Sequence, residues 1–148
     1  MVTCEQIKQA ILNQFPDDVE EAGDIFSVST LFVRADAITD IGAFLKKDPG
    51  MGFGYLTSLS AVDWPDRFEV VYHLYSISQK HYLTLKVKVN KENPFLPSVT
   101  SVWKAADWQE REVYDMFGIE FEGHPDLRRI LLETDWEGFP LRKDYVEQ

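Results

Sequence analysis

The chain has 148 residues, 45% of them hydrophobic and 27% charged, with a formal net charge of −10. That length and apolar content suit one domain with its own core. The acidity argues against nucleic acid, whose phosphates are held by basic surfaces, and against docking on anionic lipid.

From the N-terminus, Ile7, Ala10, Ile11 and Phe15 recur at helical spacing and predict a helix from Cys4 to Phe15, ended by Pro16. Met1 to Gln14 lacks the basic start and apolar run of a secretory signal, and no apolar stretch of about 18 residues is present to span a bilayer. Cys4 is the single cysteine. Alone it forms no internal disulfide, as suits the cytosol, and it falls short of the several thiolates of an iron–sulfur cluster. Asp17 to Asp24 reads as an acidic turn with Gly23, and Ile25 to Ala35 as two short strands meeting near Ser29. Asp36 is placed to cap a helix whose inner face is Ile38, Ile41, Phe44 and Leu45 and which stops before Pro49. Gly50-Met51-Gly52-Phe53-Gly54 follows a helix and precedes a strand, the reverse of a dinucleotide fingerprint, and reads as a flexible turn.

Tyr55 to Val62 and Phe68 to Ile77 read as strands joined by the turn-rich Asp63-Trp64-Pro65-Asp66. In Tyr82 to Val89, Leu83, Leu85, Val87 and Val89 alternate with Tyr82, Thr84, Lys86 and Lys88, a half-buried strand with its lysines toward water. Glu92 to Val102, broken by Pro94 and Pro97, reads as a loop.

Asp107 to Gly118 reads as a short helix, with Asp107 as N-cap, Glu110 completing a capping box, and Gly118 free to take a positive φ at the end. At about 100° per residue, Ala106, Val113, Met116 and Phe117 share the core face, and Trp108, Arg111, Glu112 and Asp115 fall opposite. Arg111 lies four residues from both Asp107 and Asp115 and can pair along the helix with either. Two readings of this outward face stay open. One is a solvated surface whose ion pairs contribute little; the other is an interface, because a tryptophan beside an arginine is the makeup of a binding anchor.

Ile119 to Glu122 reads as a short strand, and a tail follows from Gly123. Pro125, Gly138 and Pro140 rule out a long helix there, and no alternation lasts long enough for a strand. Yet Leu127, Ile130, Leu131, Leu132, Trp136, Phe139, Leu141 and Tyr145 make it far more apolar than a disordered linker. Such a surface has to lie on something, either its own domain or another chain. Arg128, Arg129, Arg142 and Lys143 gather positive charge in this tail and can dock on the domain's own carboxylates or on an acidic partner.

Signs of catalysis are sparse. His73, His81 and His124 form no metal-binding pair; His73 reads as a sheet residue and His124 as a structural hydrogen-bonder. Ser98 to Ser101 lacks the glycines of a nucleophile elbow. Glu110 and Glu112 diverge by about 160° on a helix and cannot flank one glycosidic bond. A stand-alone enzyme would require groups such as Asp63, Glu110 and His124 to converge in one cleft. The order of elements, with consecutive strands and segregated helices, gives an α+β fold: one sheet with helices packed on one side.

Glu110-Arg111-Glu112, Asp115, Phe117-Gly118-Ile119, the run Gly123 to Leu131, Asp135-Trp136-Glu137-Gly138 and the run Pro140 to Tyr145 closely resemble one family. It is the C subunit, or "30 kDa subunit", family of the proton-pumping NADH-quinone oxidoreductase, respiratory complex I. Looser likeness extends through Tyr55 to Asp63 and Phe68 to Leu74, so the resemblance covers most of the chain beyond Ile25. Glu133-Thr134 stands where that family commonly has a proline, and Phe139 where it commonly has a histidine.

The resemblance implies a two-layer α+β domain with a mixed five-stranded sheet over residues 1–124, and an irregular, extended interaction tail of the same domain over 125–148. It implies a structural subunit of the hydrophilic arm, supporting electron transfer from NADH to quinone with no catalytic, cofactor or metal residues of its own. The chain is then expected at the cytoplasmic side of the inner (cell) membrane, peripheral, meeting the membrane only through the complex. Its partners are expected to be other hydrophilic-arm proteins, chiefly the D subunit and also the B subunit. The residues expected to bind them are Trp108, Arg111, Glu112 and Asp115 on the helix. In the tail they are His124, Arg128, Arg129, Trp136, Arg142, Lys143, Asp144 and Tyr145, which are expected to dock partly on the free domain and fully on the D subunit. Similar domains occur in plastoquinone-linked, F420H2-linked and membrane-bound hydrogenase complexes, so an equivalent place in one of those is the alternative.

Overall fold

Local hydrogen bonds start the first element. Thr3 Oγ1 accepts from Gln6 N–H at 3.2 Å while Gln6 Oε1 accepts from Thr3 N–H at 2.9 Å, a capping box that opens α1 (Cys4–Gln14) and turns Ile7 and Ile11 inward. The computed structural model, which describes residues 2–25 and 27–146, then runs through β1 (Val19–Ile25), β2 (Val28–Val33), a 3-10 turn and α2 (Ile38–Lys47). It continues through β3 (Tyr55–Asp63), β4 (Phe68–Ser76), β5 (His81–Val89), β6 (Phe95–Pro97), α3 (Ala106–Phe117) and β7 (Glu120–Glu122).

The main sheet has five strands in the order β1-β2-β5-β4-β3. β2 and β5 are parallel and the other neighbours antiparallel, so the sheet is mixed. Ile7 and Ile11 of α1, Ile38, Ile41 and Leu45 of α2, and Val113 and Phe117 of α3 join one core with Leu31, Val70, Tyr72 and Leu85 from the sheet. The α+β architecture with helices on one face therefore stands, as the alternation of β5 required.

Four local expectations are corrected. The acidic stretch after Asp18 is not a turn but the edge strand β1, and the two strands meet before Ser29, because backbone pairing to β2 holds β1 although both its faces are largely exposed. Asp36 lies in the 3-10 turn rather than capping α2, whose N-cap, Ala37, offers no side-chain bond. The loop before α3 contains β6, paired in parallel with β7. Helix α3 begins at Ala106, one residue earlier than expected, so Asp107 is inside the helix and caps nothing.

The sheet face away from the helices is organised in rows fixed by the register. Ile25 pairs with Val28, which lies beside Tyr82; Tyr82 pairs with Tyr75, and Tyr75 with Tyr55. The next row holds Thr30, Thr84 and His73, the one after it Phe32, Lys86 and Val71.

Candidate partner-binding site

Two carboxylates on α3 are fully buried, Glu110 and Asp115. Asp115 organises the tail. Its Oδ2 accepts from three consecutive backbone N–H groups, Ile130 at 3.2 Å, Leu131 at 2.7 Å and Leu132 at 3.0 Å. Its Oδ1 takes Arg129 Nη1–H at 2.8 Å. Successive N–H groups around one anionic oxygen form a nest, here closed by a guanidinium. Burial pushes the Asp115 carboxyl up, but the Arg129 bond and the backbone N–H bonds outweigh it and hold the group below the ordinary carboxylate range.

The rest of the tail is tied down by the same chemistry. Arg129 Nη2–H donates to Gly138 O at 2.7 Å, and Arg142 Nε–H to Phe117 O at 2.6 Å, occupying a carbonyl at the end of α3. Leu141 N–H donates to Met116 O at 3.1 Å. Lys143 N–H donates to Asp63 Oδ2 at 2.8 Å, and Lys91 pairs with the other oxygen of that carboxylate. Burial pushes Asp63 up, yet Lys91 and the Lys143 N–H hold it below its usual range. Between these ties Phe139 packs under two guanidinium groups, Arg129 at 4.9 Å and Arg142 at 4.8 Å from its ring centre. Gly118, with φ at 75°, lies flat against it: a Cβ there would meet the ring at 2.6 Å.

The face of α3 expected to point outward is therefore divided. Trp108 is 61% exposed and Glu112 is exposed, as expected. Arg111 and Asp115 are buried, which corrects the outward reading. The tail crosses that side of the helix, so Arg111 Nε–H donates to Arg128 O at 3.3 Å while its guanidinium stacks 4.7 Å from the Trp108 ring centre. Arg111 pairs with neither Asp107 nor Asp115 in the way its spacing suggested; Asp115 is taken by Arg129.

In the tail, the His124 side chain is enclosed. Its Nδ1 accepts from Asp126 N–H at 2.9 Å, so Nε2 carries the proton and donates to Asp107 O at 3.0 Å. This is the structural role expected of it. Arg128 is exposed and pairs with Asp126 at 3.0 Å. Trp136, Lys143 and Asp144 are exposed, while Arg129, Arg142 and Tyr145 are half-buried against the domain.

Asp63, Glu110 and His124, the convergence an enzyme would need, are engaged separately. Asp63 holds Lys91 and the tail, and His124 faces Asp107. Glu110 accepts from Ser98 Oγ–H at 2.6 Å and Val99 N–H at 2.8 Å rather than closing a capping box. Burial, opposed by those two bonds, raises the Glu110 carboxyl above its ordinary value.

Asp63 was not expected as a tail contact, and Phe139 only as one of the apolar residues that must lie on the domain or on another chain. A signal for Asp63 existed: it follows Leu59 and Ala61 at alternating positions, on the side of the strand that faces the core, where a carboxylate needs a partner. For Phe139 only proximity in the fold reveals the role.

This α+β domain thus commits Asp63, Asp115 and several arginines to fixing an irregular segment and leaves Trp108 and Trp136 in solvent. The sequence comparisons give the class of protein to which it belongs. Residues 31–148 match the family described as respiratory-chain NADH dehydrogenase, 30 Kd subunit, and the chain belongs to that family. It is 44% identical over 143 residues to the NADH-quinone oxidoreductase C subunit of Roseiflexus sp. (strain RS-1), covering 95% of this chain and 80% of that one. It is 52% identical over 117 residues to the C subunit of Chloroherpeton thalassium, covering 78% of this chain and 49% of that one. Among solved structures, a trypsin-resistant fragment (1–134) of Nqo5 superposes with a TM-score of 0.70 at 31% identity, covering 82% of this chain and 98% of the fragment. A chain from the membrane-bound sulfane sulfur reductase, an archaeal respiratory membrane complex, gives 0.79 at 28% identity over 96% of this chain and 85% of that one.

Proposed function

We infer that the chain is a structural subunit of the hydrophilic arm of NADH-quinone oxidoreductase, supporting electron transfer from NADH to quinone within the assembly. The family membership and the C-type relatives support this over an equivalent place in another respiratory membrane complex, since identity to those relatives reaches 52% against 28% for the sulfane sulfur reductase chain. In this reading the chain brings no redox centre. Its one cysteine is too few for a cluster, and among the described residues no group of three or more His, Cys, Asp or Glu side chains is placed to hold a metal. Among the described residues no helix is long and apolar enough to cross a membrane. We place the chain peripherally on the cytoplasmic side of the cell membrane, reached through its neighbours, chiefly the D subunit and also the B subunit.

The observation that carries the binding role is the division of α3 and the tail into a buried, polar-tied side and an exposed side. Asp115, Arg129, Arg142 and Arg111 fix the geometry from within; Trp108, Glu112, Arg128, Trp136, Lys143 and Asp144 present it outward. Exposed tryptophans framed by charges have the composition of an interface hot spot. Residues 125–148 thus act as the interaction tail of the domain formed by 1–124.

A tagged chain expressed at native level should copurify with the other hydrophilic-arm proteins. Trp108→Ala with Trp136→Ala should remove the D subunit from that preparation while the melting temperature of the free chain stays within a few degrees. Retention of the D subunit by the double variant would overturn the assignment of this surface.

A further inference from the structure

The open face of the sheet carries a groove that the tail does not reach. Its wall is apolar, made by Ile25, Val28 and Tyr82, of which Tyr82 is 55% exposed with its ring 4.6 Å from that of Tyr75. Its floor is the next row, where Thr30 and Thr84 are too short to fill the space and His73 Nδ1 lies 3.2 Å from Thr84 Oγ1. Lys86 forms the far side, its ammonium 5.6 Å from the Phe32 ring centre. The space enclosed is about 270 Å³.

Charge distinguishes this groove from an ordinary solvated sheet face. Lys88, one strand pair along, reaches Glu21 at 3.8 Å, whereas Lys86 meets no carboxylate at ion-pair distance among the described residues. It is an uncompensated cation beside aromatic surface on a chain of net charge −10. A second copy would bring the same excess of negative charge and be repelled, and anionic lipid would be repelled likewise. A protein segment with a carboxylate next to an apolar side chain satisfies both features, the cation by pairing and the apolar wall of Ile25, Val28 and Tyr82 by burial.

We propose that the groove docks such a segment of a neighbouring protein in the complex, its apolar side chain seated between Tyr82 and His73 and its carboxylate on Lys86. The proposal rests on the chain's place in a multisubunit assembly and is independent of the tail surface. Carbodiimide coupling, which joins an ammonium to a carboxylate it touches, should link Lys86 to an acidic residue of another protein in the purified complex, and Lys86→Gln should abolish that link. Hydroxyl-radical labelling of Tyr82 should be lost on going from the free chain to the complex. Equal labelling in both states, or a link from Lys86 to a second copy of this chain, overturns the proposal. If the unaltered chain brings down no other protein of the complex, the assembly reading itself falls; if those proteins copurify and the groove stays reactive, the groove proposal alone falls.

Discussion

The sheet and the tail solve one problem in opposite ways. In β3, β4 and β5 the backbone N–H and C=O groups satisfy one another along antiparallel ladders, so each side chain contributes packing and no single one holds the strands together. In the tail, residues 129–143 have no such ladder; turn bonds and the Leu141 bond to Met116 O satisfy some backbone groups, and side chains meet others: Asp115 takes three N–H groups, Asp63 one, and Arg129 donates to a carbonyl. Regular pairing spreads stability over many small terms. Irregular pairing concentrates it in a few ionic groups, which makes the tail sensitive to single substitutions and to pH.

The sharpest way to break this contrast is Asp115→Ala. It leaves Arg129 without its partner and three N–H groups without an acceptor, and breaking a buried ion pair costs about 3–5 kcal/mol. Hydrogen exchange should accelerate in residues 129–142 while the amides of β4 and β5 keep their protection. If those strands exchange faster by the same factor, the tail unfolds with the sheet and the contrast fails. Glu110→Gln should be much milder, because Ser98 Oγ can switch from donor to acceptor, whereas no such exchange is open to the N–H groups facing Asp115.

Acid should reproduce the Asp115 effect. Asp63 and Asp115 have lowered folded values, so the stability they contribute is present above the unfolded carboxylate value of about 3.9 and lost as pH falls through the folded ones. Glu110 has the opposite sign: its raised value means that ionisation in the folded state is penalised, so its contribution weakens as pH rises above about 4.3, the ordinary glutamate value. Protection of the tail amides, measured against the intrinsic exchange rate at each pH, should therefore fall below about pH 4, ahead of β5. Simultaneous loss of both would count against separate anchoring.

Gly118→Ala tests the apolar side of the same attachment. A left-handed residue with a Cβ costs about 1–2 kcal/mol, and here the methyl also displaces the Phe139 ring. Melting should come several degrees earlier, and Phe139→Ala combined with it should recover part of the loss. Smallest is Tyr72→Phe on the sheet side. The Tyr72 hydroxyl is buried without a partner among the described residues, and burial pushes its pKa well above the ordinary value. Removing it should leave stability unchanged or raise it by about 1 kcal/mol in a denaturant titration. A loss of that size would mean the hydroxyl is satisfied after all.

The sequence alone determined what depends on neighbours a few residues away. Period and punctuation were enough for α1, α2, β3, β4 and β5, and the residues from Glu110 to Tyr145 carried the family likeness. β1 was not legible, because an edge strand is held by a partner's backbone and needs no apolar alternation. Nor was the inner side of α3. A helical wheel assigns one buried face, and it placed Arg111 and Asp115 on the opposite, outward one. Only the tertiary structure shows α3 lying between the sheet and the tail, so that it has two buried faces, one apolar and one ionic. The second exists because a chain segment without regular pairing draws many of its hydrogen bonds from side chains, and Asp115 and Arg111 on the helix it crosses supply several of them.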